Sequence, residues 1–162
     1  MAGPLHIRAE HVGDAEALAE AHVRAWRQTY GEQVPEHVYA RLEQGGPERW
    51  WRQVAEPDGT ATWVGVVREG GALAGFAVAE ATGPGDVRPL RLSSLYVLAD
   101  WHGQGLGRAL LEHALGDAPA YLWVAEHNDR AQRFYRHNGF TLDGARQVEE
   151  QWGGIADLRM VR

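Results

Sequence analysis

The chain of 162 residues contains no cysteine, and none of its 16 basic residues is a lysine. Without cysteine it can form neither a disulfide nor a thiolate zinc site, and a cysteine nucleophile is excluded. Without lysine it cannot form a Walker-type phosphate loop, which requires a Lys directly after its last glycine. The eight histidines do not occur at HxxxH or HExxH spacing, so we expect no metal site.

Long apolar runs are absent as well. No segment approaches the length of a membrane span and the N-terminus has no apolar signal segment, so we expect a cytoplasmic protein without a membrane partner. The net charge of −6 argues against nucleic acid as a partner. It is compatible with a cationic ligand, although ordinary solubility explains it equally well. The length and the hydrophobic content of 44% predict one domain over residues 1–162.

Residues 92–115, LSSLYVLADWHGQGLGRALLEHAL, carry the most informative pattern of the chain. Leu95, Tyr96 and Val97 are consecutive β-prone residues, typical of a strand covered on both faces. A turn dense in glycine follows over residues 102–107, and apolar residues then recur at helical spacing. Such a turn can point several backbone N–H groups at one place, beside the positive end of a helix. We therefore predict a site for a phosphate or pyrophosphate.

Two other nucleotide-binding patterns fail on spacing in this stretch. Arg108 and Ala109 stand where a Walker loop needs Lys and then Ser or Thr. The Rossmann fingerprint needs a glycine or alanine three residues after its second glycine. If Gly103 is its first glycine, Arg108 occupies that place, and if Gly105 is its first glycine, Leu110 does. Taken alone, the stretch is also compatible with a glycine-rich loop that serves only for tight turning.

The order of the predicted elements is one strand, two or three helices, three strands, a helix, a strand, a helix and two strands. Strands outnumber crossover helices, which favours an α/β (α+β) fold with a mixed sheet over a parallel doubly wound one. A helical run begins at Pro35, and the Gly-Gly-Pro of residues 45–47 is predicted to close it. A further short helix is predicted over residues 48–54.

The strand before the glycine turn changes its apolar parity across Ser93 and Ser94. This change indicates either a β-bulge or a strand buried on both faces, which needs no parity. A bulge would splay the strand from its neighbour and free backbone groups for a ligand. The sequence supports both interpretations about equally.

A second block, NDRAQRFYRHNGF, covers residues 128–140. By itself it is typical of a capped helix with an aromatic core stripe, in which Asn128 can cap the helix and Gly139 can end it. It resembles the N-x-x-A-x-x-F-Y-x-x-x-G-F block of the GCN5-related N-acetyltransferase (GNAT) family. Residues 102–107 resemble the Q/R-x-x-G-x-G/A signature of the same family, with His102 in place of the usual Arg or Gln. The resemblance extends over nearly the whole chain and implies a mixed, mostly antiparallel sheet of about seven strands flanked by about four helices.

The resemblance also implies that acetyl-CoA occupies the predicted anion site. The amides of the turn would bind the pyrophosphate, strand residues 95–97 would pair with the pantetheine amides, and Asn128 would contact the pantetheine arm or place its helix. Tyr135 would donate a proton to the departing thiolate. The residues implied to bind the coenzyme are Leu95, Tyr96, Val97, His102, Gly103, Gln104, Gly105, Leu106, Gly107, Arg108, Asn128 and Tyr135.

An acceptor amine must be neutral to attack, so such a site also needs a group that takes its proton. Histone-type members of the family carry a Glu early in the strand before the turn, but Arg91 stands at that position and cannot serve. Glu80, at the end of a hairpin strand, is the first candidate, followed by Glu126 and by His102. A water chain is a further alternative. For both carboxylates, a solvated residue at the end of a strand is the simpler explanation.

We therefore predict an enzyme that moves acetyl from acetyl-CoA directly to a primary amine of a small molecule or peptide. A non-catalytic acyl-CoA-binding module and a nucleotide-binding domain of another kind are the competing hypotheses. Tryptophans and β-prone final strands permit a homodimer. Trp26, Tyr30, Trp50 and Trp51 could line an acceptor pocket, although aromatic residues at helical spacing are more often core, which we favour here.

Overall fold

The computed structural model describes residues 4–56 and 58–162, and within them seven strands form one mixed sheet. The strands are β1 (Leu5–Ala9), β2 (Thr60–Val67), β3 (Leu73–Ala81), β4 (Leu90–Val97), β5 (Ala120–Ala125), β6 (Thr141–Glu149) and β7 (Ile155–Val161), and the helices are α1 (Ala15–Tyr30), α2 (Glu36–Ala55), α3 (Leu106–Leu115) and α4 (Asp129–His137). The strand order is β1-β2-β3-β4-β5-β7-β6, and among the described strands only β4 and β5 pair in parallel. The predicted fold class is confirmed.

Apolar residues are buried on both faces of the sheet. On one face Leu106 and Leu110 of α3 pack with Ala77 of β3. On the other face Phe76, the neighbour of Ala77 in sequence, packs with Leu18 of α1. Adjacent strand residues point to opposite faces, so the continuous apolar run of β3 reflects cover on both sides. Strands β3 and β4 are thereby held firmly in the middle of the fold.

Helix α2 continues through the Gly-Gly-Pro that was predicted to end it, and the predicted separate helix over residues 48–54 is wrong. Pro47 removes one helical hydrogen bond. The helix continues because residues on both sides of the proline are buried, Leu42 at 5% and Trp50 at 3% exposure. Gly46 also lets α2 approach α1 closely, since a Cβ atom at this position would lie 2.9 Å from Cβ of Ala19.

The change of parity in β4 is a β-bulge. Val78 of β3 pairs with Ser94, but the next residue, Ala79, pairs with Leu92, so Ser93 is an extra residue in β4. Beyond the bulge β4 stays paired with β3 as far as Val97, whereas its pairing with β5 ends at Leu92. The two parallel strands therefore separate and leave a gap between residues 95–97 of β4 and residues 123–125 of β5. We call this gap the β4–β5 wedge.

The close contact between α1 and α2 gives a test with a matched control. Gly45→Ala adds a methyl group with nothing within 4 Å, and we expect it to stabilise the fold by up to about 1 kcal/mol through helix propensity. Gly46→Ala forces the new methyl against Ala19, and it also places a Cβ directly before Pro47, where the proline ring disfavours helical geometry. We expect it to be less stable than Gly45→Ala by about 1–3 kcal/mol. Urea unfolding of both variants measures the difference, and equal stabilities would contradict the close packing.

Candidate functional site

The β4–β5 wedge exposes backbone hydrogen-bonding groups of β4. The N–H of Leu98 donates to a carbonyl of β3 at 2.9 Å, and bonding alternates along an antiparallel pair. The backbone groups of Tyr96 therefore face β3, while those of Leu95 and Val97 face the wedge. There they have no strand partner among the described residues. An extended ligand with amide groups can pair with them as an added strand does.

The glycine turn, residues 102–107, lies at the end of the wedge and presents backbone N–H groups there. Gly103 and Gly105 have φ values of 74° and 81°, which residues with a side chain rarely adopt. The first helical hydrogen bond of α3 runs from Ala109 N to Gly105 O at 3.1 Å. The N–H groups of residues 106–108 therefore have no partner within the helix and are available to an anion.

Helix α4 forms the opposite wall, and its ends are capped as predicted. Oδ1 of Asn128 accepts a hydrogen bond from the N–H of Ala131 at 3.0 Å. At the other end Gly139 has a φ of 89°, and the N–H of Phe140 bonds to the carbonyl of Tyr135 at 3.0 Å. The second sequence block thus fixes both ends of a short helix. It holds the Tyr135 ring beside Phe134 and Phe140, with ring centroids 5.2 and 5.8 Å away.

Wedge, turn and α4 enclose a cavity of about 460 Å³, which we call the wedge cavity. Eleven of the residues predicted to bind the coenzyme line it. They are Leu95, Tyr96, Val97, His102, Gly103, Gly105, Leu106, Gly107, Arg108, Asn128 and Tyr135. Gln104 lines a neighbouring cavity instead, and its side chain donates to the carbonyl of Asp100 at 3.4 Å.

Several lining residues were not found by sequence reasoning. They are Gln28, Thr29, Trp101, Arg130, Ala131 and Phe134. Arg130 and Phe134 stand inside the second sequence block, but nothing in the sequence shows which way their side chains point. Gln28 and Thr29 lie at the end of α1, far from both motifs in sequence, and only the packing of α1 on the sheet brings them to the cavity.

The phenol of Tyr135 is buried and stays protonated at neutral pH. Its side chain is buried, with 8% of the residue exposed, and burial raises the pKa of its phenol above the usual range. The phenols of Tyr30 and Tyr96 are close enough to interact with it electrostatically. Burial raises the pKa of both of these groups as well. Three protonated phenols from α1, β4 and α4 therefore meet beside the wedge.

A carboxylate that sequence reasoning missed lies beside this group. Asp157 of β7 pairs with Ala125 at the end of β5 and is close enough to raise the pKa of Tyr30. Burial raises the pKa of Asp157 itself, and the charge of Glu149 adds to the effect. No sequence signal marks this residue, because only the antiparallel pairing of β7 with β5 brings it next to Ala125.

Glu80 and Tyr135, the two residues predicted to be catalytic, line different cavities. Glu80 lines a second cavity of about 440 Å³ together with His22 and the bulge residues Ser93 and Ser94, and Arg91 Nη1 donates to its carboxylate at 3.3 Å. We call this space the bulge cavity. Both cavities include residues of β4, Ser93 and Ser94 on one side and residues 95–97 on the other.

The other two candidates for the base are engaged in hydrogen bonds. Arg146 binds the carboxylate of Glu126 through two hydrogen bonds of 3.1 and 3.0 Å, and this pairing lowers the pKa of Glu126. The imidazole of His102 bonds to the carbonyl of Val97 and to the guanidinium of Arg130, both at 2.7 Å. His102 therefore joins the glycine turn to the wedge and to α4.

The aromatic residues considered for an acceptor pocket divide between core and surface. Trp50 is buried, at 3% exposure, as predicted, but Trp51 is 48% exposed. Trp26 and Tyr30 are partly buried and pack in one cluster with Trp152, with centroids of adjacent rings 5.0 and 5.5 Å apart. Neither the surface position of Trp51 nor the contact with Trp152 follows from helical spacing.

Comparison with known proteins assigns the chain to a family. The described residues form a mixed sheet that is open between its two parallel strands. A sequence model of the Acetyltransferase (GNAT) family matches residues 16–140. The chain belongs to this family, which confirms the resemblance found in its motifs.

Two curated relatives match parts of the chain. An uncharacterised N-acetyltransferase of Mycobacterium tuberculosis is 38% identical over 85 residues, which cover 49% of this chain and 53% of that protein. The peptidyl-lysine N-acetyltransferase YjaB of Salmonella typhimurium is 38% identical over 60 residues, 36% of this chain and 41% of that protein. The chain thus spans about half the length, or less, of the curated relatives it matches.

A solved structure shows the same fold over almost the full length. The PaiA N-acetyltransferase of Thermoplasma acidophilum, solved in complex with coenzyme A, superposes with a TM-score of 0.71 at 19% identity and covers 96% of this chain and 97% of that one. Among residues 4–56 and 58–162 of the present chain, no group of three or more His, Cys, Asp or Glu side chains could hold a metal ion. None of the helices in the same residues is long and apolar enough to cross a membrane.

The buried His22 beside the bulge cavity gives a prediction on pH. Its Nδ1 accepts a hydrogen bond from Arg49 Nη2 at 2.8 Å, and burial, followed by the charge of Arg49, lowers its pKa to about 3. The unfolded chain binds a proton at this residue below about pH 6.5 while the folded chain does not. The folded state should therefore lose about 1.4 kcal/mol per pH unit between pH 6 and pH 4 through His22 alone.

Urea unfolding at several pH values measures this loss against His22→Gln, which keeps an acceptor for Arg49 but cannot titrate. The wild-type protein should lose stability more steeply than the variant on acidification, whatever their difference at pH 7. Parallel pH profiles would contradict the prediction, because they would show that His22 binds its proton over the same pH range in the folded and the unfolded chain.

Proposed function

We propose that the protein transfers an acetyl group from acetyl-CoA to a primary amine of a small molecule or peptide by direct attack. The observation that carries this proposal is the continuity of the β4–β5 wedge with the amides of the glycine turn. An arm with amide groups, such as pantetheine, could pair with the strand edge in the wedge. A pyrophosphate at the end of that arm would then reach the amides of the glycine turn. The coenzyme complex of PaiA and the peptidyl-lysine activity in the name of YjaB support the choice of donor and acceptor.

The proposed roles of the residues follow from their positions. Leu95 and Val97 would bind the arm through their wedge-facing backbone groups, and the amides of residues 106–108 would bind the pyrophosphate. The bound coenzyme would supply an acetyl group activated as a thioester. As the amine nitrogen bonds to the acetyl carbon and the carbon–sulfur bond breaks, Tyr135 would give its proton to the sulfur. Its raised pKa keeps that proton in place until the thiolate leaves.

Glu80 is the proposed acceptor of the amine proton. Its carboxylate lines the bulge cavity beside Ser93 and Ser94, and its side chain is 35% exposed. The carboxylate of Glu80 is engaged in the ion pair with Arg91, which is why Asp157 is the competing candidate. The carboxylate of Asp157 has a raised pKa and lies beside Tyr30, which in turn interacts with Tyr135.

A non-catalytic acyl-CoA-binding module is the second candidate function. The observation that favours it is the ion pair between Arg91 and Glu80, which leaves the bulge cavity without a free carboxylate at Glu80. Acceptor-dependent release of free CoA from acetyl-CoA separates the two functions. Because the chain has no cysteine, a thiol reagent detects only the released CoA, and because it has no lysine, acetyl-lysine signals come only from the acceptor.

Removal of the Tyr135 hydroxyl tests the proposed acid. We expect Tyr135→Phe to lower kcat by about 100-fold or more, a typical loss for a general acid, while acetyl-CoA still binds. Tyr39→Phe is the control, because it removes a hydroxyl bonded to the carbonyl of Gly31 at 2.9 Å, outside both cavities. Thiol release and calorimetric binding are measured on both variants. Unchanged turnover in Tyr135→Phe would rule out the acid role.

The two candidate bases are separated by neutral substitutions. We expect Glu80→Gln to lose most turnover at neutral pH and to keep acetyl-CoA binding, since only the proton acceptor is removed. Glu43→Gln is the control, because this carboxylate of α2 pairs with Arg27 outside both of the cavities described above. If Glu80→Gln retains its kinetics and Asp157→Asn loses turnover, the base is Asp157.

A further inference from the structure

We propose that His102 and Arg130 form a positioning pair in which His102 holds the guanidinium of Arg130 at the glycine turn, so that a residue of α4 supplies the cation that binds the coenzyme pyrophosphate. This inference rests on the coenzyme binding proposed above. It assigns a role to the residue at which the turn departs from the family signature, and to an arginine that the sequence did not single out.

The hydrogen bonds of His102 fix its protonation state. A guanidinium can only donate, so the Nδ1 atom that lies 2.7 Å from Arg130 Nη1 must accept. The proton of the neutral ring is then on Nε2, which donates to the carbonyl of Val97 at 2.7 Å. The imidazole is therefore fixed at both ends, by the backbone of the wedge and by the side chain of α4.

Arg130 is the uncompensated cation of the wedge cavity. Within the described residues its guanidinium makes one hydrogen bond, to His102, and no ion pair. Arg108, the other arginine of this cavity, is bound by Glu112 at 2.9 Å on the same helix. A guanidinium has five N–H donors in a planar fork, so Arg130 keeps donors for a ligand after the bond to His102.

A pyrophosphate matches the groups that converge here. The amides at the start of α3 present partial positive charge, and Arg130 adds a full charge to the same cavity. Guanidinium binds phosphate oxygens through paired hydrogen bonds, which fix the geometry as well as adding attraction. In the family signature an arginine often stands at the position of His102. Here the charge comes from the next helix, and the histidine holds it in place.

A truncated donor tests this role directly. S-acetylpantetheine carries the same thioester and pantetheine amides as acetyl-CoA but has no pyrophosphate. We expect Arg130→Ala to raise KM for acetyl-CoA by about 10- to 100-fold, the range for a lost hydrogen bond to a charged group. Its kcat, and both constants for S-acetylpantetheine, should stay close to those of the wild type. Arg130→Lys should recover part of the loss, since it restores the charge without the fork.

The control is Arg133→Ala, which removes an equal charge from the exposed side of α4 and should leave both donors unaffected. Equal losses for acetyl-CoA and S-acetylpantetheine in Arg130→Ala would show that Arg130 only supports the fold. Wild-type kinetics with acetyl-CoA in this variant would overturn the pyrophosphate contact.

The contribution of His102 is tested by a double-mutant cycle. His102→Ala should raise KM for acetyl-CoA, but His102→Ala in the Arg130→Ala background should add little, because the histidine acts through the arginine. Additive effects of the two substitutions would overturn the positioning role. Calorimetric binding of CoA and of pantetheine repeats the comparison without an acceptor, so the inference is tested even if no amine is acetylated.

Discussion

The extra residue Ser93 in β4 is the constraint on which the site depends. A parallel pair can bond along its whole length only if both strands keep a common path, and the bulge ends that path at Leu92. Backbone groups inside a protein need partners. His102 bonds to the carbonyl of Val97, while the backbone groups of Leu95 and the N–H of Val97 have no strand partner among the described residues of the wedge. The opening is therefore set by the pairing of β4, which stays bonded to β3 as far as Val97 while its pairing with β5 ends at Leu92.

The positions of α3 and α4 decide which charged groups and which phenol lie at this opening. Helix α3 begins at the end of β4, so its positive end lies at the mouth of the wedge, and the positive φ values of Gly103 and Gly105 turn the chain tightly enough to place it there. Helix α4 brings both Tyr135 and Arg130 to the wedge cavity. In the proposed function, a buried phenol and an exposed guanidinium on one short helix would serve the two ends of the same ligand.

Local chemistry in the sequence predicted the parts of the site that depend on backbone conformation. The glycine turn, the Asn128 cap and the left-handed Gly139 were all predicted, because each is set by a residue's own φ preference or by a side chain within four positions of its partner. The same reasoning failed at residues 45–47. There the burial of Leu42 and Trp50, and the approach of Gly46 to Ala19, outweighed the helix-ending preference of Gly-Gly-Pro.

By itself the sequence determined the fold class, the family, the conformation of the glycine turn and the exclusion of cysteine and lysine chemistry. It narrowed the strand before the turn to two interpretations, and the pairing of β3 with β4 decided for the bulge. Only the tertiary structure decided that Arg91 pairs with Glu80, that Asp157 lies beside Tyr30, and that His102 joins Val97 to Arg130. These contacts join residues on different elements, and the direction of a side chain across such a gap is set by packing, which no local pattern encodes.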